Sequence, residues 1–82
     1  MVIYVSFFGL QRKLTQTDRV NVPLSSKIRV VEDLFHYIEV RYPALSLNKK
    51  SVLVMVNNNA SSLDRELCPN DEVSFMPPIG GG

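Results

Sequence analysis

The chain has 82 residues, 45% of them hydrophobic, which gives one domain with one core and no room for a second lobe. Charged residues make up 21% and the net charge is +1, so there is no basic excess of the kind that displaces counterions from nucleic acid. A single cysteine, Cys68, excludes an internal disulfide framework, and no apolar run or basic leader suggests a membrane span or signal peptide, so a small cytoplasmic protein is expected.

In chain order, Val2 to Phe8 is rich in β-branched and aromatic residues and ends at Gly9, the pattern of a first strand. "LQRKL" opens a polar connection. Arg19-Val20-Asn21-Val22-Pro23 alternates apolar and polar residues as a half-buried strand does, and Pro23, lacking an N–H, closes it. Val31, Leu34, Phe35, Ile38 and Tyr42 then recur on one face of an amphipathic helix, which Pro43 stops. Val52-Leu53-Val54-Met55-Val56 is apolar on both faces and predicts a central strand. Asn57-Asn58-Asn59 and Pro69-Asn70-Asp71 predict turns, the second feeding a last strand from Glu72 to Met76.

One helix across a mixed sheet of about four or five strands is an α+β layer arrangement. With the first and last strands side by side in the middle, it is a β-grasp. Strand phase puts Ile3, Val5 and Phe7 on one face of the first strand, and Val73 and Phe75 on one face of the last. Each strand also sets one large apolar residue, Phe8 or Met76, at the end of its polar face. In neighbouring strands these two would form an exposed apolar patch suited to a partner; otherwise they are two separate surface hydrophobes.

The final stretch, Met76-Pro77-Pro78-Ile79-Gly80-Gly81-Gly82, carries the most information. Three closing glycines arise by chance in roughly three chains in ten thousand, given ordinary glycine usage, so composition alone is a poor explanation. A frayed end or cloning remnant is the plain alternative. Pro77-Pro78 holds the backbone extended as a stiff stalk. Glycines without Cβ atoms then fit a narrow channel and carry a terminal carboxylate towards another protein's catalytic groups. On this reading, residues 1–76 form the folded domain and residues 77–82 the extended tail.

The catalysis itself has to come from elsewhere. A carboxylate becomes an acyl donor after adenylation, and the chain has no glycine-rich phosphate loop leading into a helix. His36 and Cys68 are single and far apart, so they do not make a metal site. His36 is expected on the helix surface, and Cys68 is expected as a small packing residue. Arg12-Lys13 and Lys49-Lys50 are short basic pairs, ordinarily solvated.

"NDEVSFMPPIGGG" (residues 70–82) resembles the end of the ubiquitin-like sulfur carriers, specifically the molybdopterin synthase small subunits. Those chains close on a turn, an Asp-Glu-Val-type strand, two prolines, a β-branched residue and Gly-Gly. "FFGLQRKL", "VNVP" and "IEVRYPAL" resemble the first strand, second strand and helix end of the same family. Gly80 departs from it, since the family usually has serine, threonine or another small residue there.

The resemblance implies a sulfur carrier for molybdenum cofactor biosynthesis that is not catalytic alone and binds no cofactor or metal. An E1-like adenylating enzyme would use ATP to activate Gly82, and a sulfurtransferase would convert it to a thiocarboxylate. Pro77, Pro78, Ile79, Gly80 and Gly81 would thread into the large subunit of molybdopterin synthase, where sulfur passes to cyclic pyranopterin monophosphate. Phe8 and Met76 match the family's exposed apolar positions, which contact both partners. A ubiquitin-like protein modifier or tRNA-thiolation carrier would share the Gly-Gly end. A thiamine-pathway carrier would share the chemistry but is usually shorter, and a plain binding module would use neither.

Overall fold

Backbone hydrogen bonding and side-chain alternation build a five-stranded mixed sheet in the computed structural model, which describes residues 1–77. The elements are β1 (Val2–Ser6), α1 (Leu10–Thr15), β2 (Arg19–Pro23), α2 (Val31–Arg41), a 3-10 turn (Pro43–Leu45), β3 (Leu53–Val56), β4 (Asn59–Ala60) and β5 (Glu72–Met76). The strand order is β2-β1-β5-β3-β4. β1 and β5 are adjacent and parallel, in register Tyr4↔Glu72 and Val5↔Val73, while the other pairs are antiparallel. This is the β-grasp arrangement, with α2 as its main helix. The expectations for Pro78, Ile79, Gly80, Gly81 and Gly82 lie outside the described residues.

The core forms where the inward strand residues meet one stripe of α2. Ile3, Val5, Phe7, Val22, Val54, Val56, Val73 and Phe75 from the sheet side bury against Val31, Leu34, Phe35 and Ile38. Phe35 and Phe75 meet edge to face with ring centroids 5.4 Å apart, a geometry that adds about 1 kcal/mol to their burial. Phe7 meets Tyr42 in the same way. The start of α2 is capped by Asp33, whose carboxylate accepts the Arg29 and Val30 N–H groups at 3.0 and 3.1 Å. These two donors hold that carboxyl below its ordinary pKa. Val31 and Glu32 donate to the Arg65 and Leu63 carbonyls, so the loop before β5 closes over the helix end.

Four details differ from the sequence expectation. The first strand ends at Ser6, because the Phe8 N–H is taken by the Gln11 side chain and Gly9 turns the chain at φ 55°. "LQRKL" is not a connection but the helix α1. β3 starts at Leu53, since Val52 donates its N–H to Asn48 C=O at 2.8 Å; it lies inside the sheet, but β5 holds the middle. Asn59 belongs to β4, leaving Asn57 (φ 51°) and Asn58 (φ 69°) as a two-residue hairpin loop of the kind that favours asparagine.

Candidate functional site

The site lies where β5 ends and the C-terminal segment leaves the sheet. Val73 and Phe75 are buried in the core, and Glu72, Ser74 and Met76 are half-buried on the opposite face. Met76 is the last strand residue and pairs with Leu53 across the sheet, and Pro77 follows it into solvent. Phe8, just past β1, is 45% exposed. The parallel register of β1 with β5 carries Phe8 and Met76 to the same end of the sheet.

α1 stands beside this exit. Leu10 and Leu14, one helical turn apart, are both exposed large apolar residues. With Phe8, Leu45, Leu47, Val52 and Pro77 they line a mostly apolar groove of about 320 Å³. Phe8 and Pro77 therefore share one surface, whereas Met76 stands outside the groove's lining, on the outer face of the sheet. Gln11, also in the lining, spans the exit: Phe8 N–H donates to its Oε1 at 3.3 Å, and its Nε2 donates to Phe75 C=O at 2.6 Å. Sequence reasoning missed Gln11, Leu10 and Leu14. The Leu10–Leu14 spacing was the available signal for the helix, but nothing local marks a contact between residues 64 apart.

Charged side chains on the sheet and beside α1 are largely matched. Arg19 lies 3.9 Å over the Tyr4 ring and pairs with Glu72, which also accepts the Ser6 hydroxyl at 3.0 Å. Arg12 donates to Phe7 C=O at 3.2 Å and lies 3.7 Å from Asp18. Of the other residues considered from sequence, Lys49 pairs with Glu32, and His36 is on the surface as expected. Cys68 is exposed rather than packed: its backbone is held in the turn, the N–H donating to the Asp71 carboxylate and the carbonyl accepting the Asp71 N–H, while the side chain faces solvent. Among the described residues no group of three or more His, Cys, Asp or Glu side chains could hold a metal ion, and no helix is long and apolar enough to cross a membrane. The displaced pKa values belong to Asp33, Arg41 and Asp71, at a helix cap, a helix end and a turn, away from the exit. At the exit the described residues form an apolar groove, and Gln11 ties the end of β5 to α1.

The ThiS family model matches residues 5–82. The chain is 35% identical to the molybdopterin synthase sulfur carrier subunit of Escherichia coli, over 99% of this chain and 100% of that one. Its fold is similar to the small archaeal modifier protein 1 of Methanosarcina acetivorans (24% identity, TM-score 0.75, covering 99% of this chain and 96% of that one). It is also similar to a chain in the complex of subunits 1 and 2 of the molybdopterin-converting factor from Helicobacter pylori (18% identity, TM-score 0.67, full coverage of both). A parallel β1–β5 pair at the centre of the sheet, an apolar surface at the strand exit and an end-to-end family match agree, and the chain belongs to the ThiS family of ubiquitin-like sulfur carriers.

Proposed function

We propose that this chain is the sulfur-donating small subunit of a molybdopterin synthase. The observation that carries the reading is the end-to-end identity of 35% with a relative named as that subunit. In the proposed cycle, an adenylating enzyme joins the Gly82 carboxylate to AMP and releases pyrophosphate from ATP. A sulfurtransferase persulfide attacks the acyl carbon and AMP leaves, and a thiol then reduces the resulting acyl disulfide, releasing a thiocarboxylate and leaving a disulfide on the sulfurtransferase. The thiocarboxylate is a soft nucleophile, ionised at neutral pH, and inside the large subunit it attacks a carbon of the pterin precursor, displacing an oxygen substituent from that carbon. Water then cleaves the acyl–sulfur bond, leaving sulfur on the pterin and restoring the carboxylate. Phe8 and Met76 serve as docking contacts, and residues 77–81 carry Gly82 into the partner's catalytic groups. The H. pylori complex supports the choice of partner, since that fold neighbour was solved with both converting-factor subunits together.

The fold likeness to an archaeal modifier favours a second reading, in which Gly82 is conjugated to lysines. Intact mass of protein from the native host separates the two. A gain of about 16 Da, oxygen replaced by sulfur, is expected for the carrier. High-mass conjugates without that species would overturn the carrier reading.

A further inference from the structure

Parallel strands pair through evenly spaced, slanted hydrogen bonds that recur every second residue. Between β1 and β5 one of these runs from Tyr4 N–H to Asp71 C=O at 2.9 Å, consistent with the register Tyr4↔Glu72. Four residues further along each strand stand Phe8 N–H and Phe75 C=O, the groups that a continued ladder would join directly. They are bridged instead by a side chain: Phe8 N–H donates to Gln11 Oε1, and Gln11 Nε2 donates to Phe75 C=O. One carboxamide, with the donor and acceptor of a peptide group, is spliced into the ladder in place of a single bond.

We propose that Gln11 is a positioning residue for the reaction at Gly82, fixing the direction in which the tail leaves the sheet. The proposal rests on the sulfur-carrier reading for the identity of that reaction. Phe75 C=O belongs to the peptide group that leads into Met76, so pinning it orients the chain immediately before Pro77. Met76 precedes a proline and Pro77 has a ring-locked φ, so little rotation is left at the root to absorb an error. Six residues from Met76 to Gly82 reach at most about 20 Å when extended, so a tilt of roughly 10° at the root moves the far end by about 3 Å. Phe8 and Pro77 both line the groove beside α1, as does Gln11 itself. Gln11 and Phe75 come from opposite ends of the chain, so this bridge ties α1 to the root of the tail.

The test uses the full chain with its adenylating enzyme, ATP–pyrophosphate exchange being followed as carrier concentration varies. Gln11→Leu removes both hydrogen bonds at similar volume. Gln11→Glu keeps the acceptor for Phe8 but at neutral pH has no donor for Phe75 C=O. For both we expect kcat to fall about tenfold or more with KM within about twofold, because docking survives while the carboxylate is misplaced. Phe8 amide hydrogen exchange should accelerate in Gln11→Leu and stay near wild type in Gln11→Glu. Below about pH 5 the new glutamate protonates and regains a donor, so its deficit relative to wild type should shrink, whereas that of Gln11→Leu should not. A raised KM with unchanged kcat would make Gln11 a docking contact and overturn the proposal. So would wild-type kcat despite lost Phe8 protection, or a kcat loss that only tracks a fall in melting temperature. Wild-type protein that is inert with the adenylating enzyme would instead refute the sulfur-carrier reading, and the role at Gly82 with it.

Discussion

Replacing Asp71 by alanine should cost about 3 kcal/mol of folding stability. This buried carboxylate, in the turn that starts β5, accepts the Cys68 N–H at 2.8 Å, the Asn57 side-chain amide at 2.9 Å and the Arg65 guanidinium at 3.1 Å. Alanine leaves all three donors without it. Hydrogen bonds to a charged group contribute about 1.5–3 kcal/mol each, and removing one partner of a buried pair costs about 3–5 kcal/mol. Arg65 is 38% exposed at its side chain and regains water when the acid is gone, which sets the figure at the low end of that range. In a domain of this size the loss corresponds to a melting temperature lower by roughly 15 °C. Acid provides an independent check. Burial pushes the Asp71 carboxyl up, but the three donors outweigh it and hold its pKa below the usual 3.8. The unfolded chain therefore takes up this proton first as pH falls. The stabilisation is present in full above the unfolded pKa and is lost as pH drops through the lower folded value. Urea unfolding at neutral pH and at about pH 3 should show the gap between wild type and Asp71→Ala narrowing in acid. An alanine variant within about 0.5 kcal/mol of wild type at neutral pH, or a gap indifferent to acid, would refute this account.

Gly9 has φ 55° and ψ −128°, and a Cβ there meets no atom, so Gly9→Ala should cost about 2 kcal/mol through backbone strain alone; a thermal melt equal to wild type would contradict that. Phe8→Asp should weaken binding to the adenylating enzyme and the large subunit by about 2 kcal/mol while costing folding about 0.5 kcal/mol. Met76→Asp should weaken binding similarly but cost folding more, since Met76 is half-buried beside Leu53. Titration calorimetry giving wild-type affinities would remove both residues from the docking surface. Deleting Gly82, or adding a residue after it, should abolish sulfur transfer with unchanged circular dichroism. On the proposed threading, Gly81→Val should cost on the order of a hundredfold in single-turnover transfer and Gly80→Ser only a few-fold, because a branched Cβ would obstruct a channel shaped for bare backbone; equal losses would rule out threading.

Much of the architecture was legible because it is written in local periodicity. Alternation in "RVNVP" and "EVSFM" gave β2 and β5 with the observed bounds, and the stripe from Val31 to Ile38, stopped by Pro43, gave α2. Asparagines that tolerate positive φ marked the turns at Asn57-Asn58 and Asn70. The inward faces of β1 and β5 followed from strand phase, whereas their adjacency was a supposition that periodicity cannot show and that the strand order establishes. The proline–glycine tail and its likeness to sulfur carriers were equally sequence-borne, since they concern composition at one end of the chain.

Tertiary structure decided what no window of neighbouring residues contains. α1 has six residues, so the single Leu10–Leu14 spacing is its whole periodic signal and it is too short for stability in isolation; it is held by the turn at Gly9 and by packing beside the Pro43–Leu45 turn. β4 has two residues and exists as a strand because β3 supplies its ladder partners. Gln11 reads in sequence as an ordinary polar residue on a short helix. It bridges the two central strands because packing brings Phe8 and Phe75 within reach of one carboxamide, and hydrogen bonds between residues that distant depend on the folded core, not on local propensity.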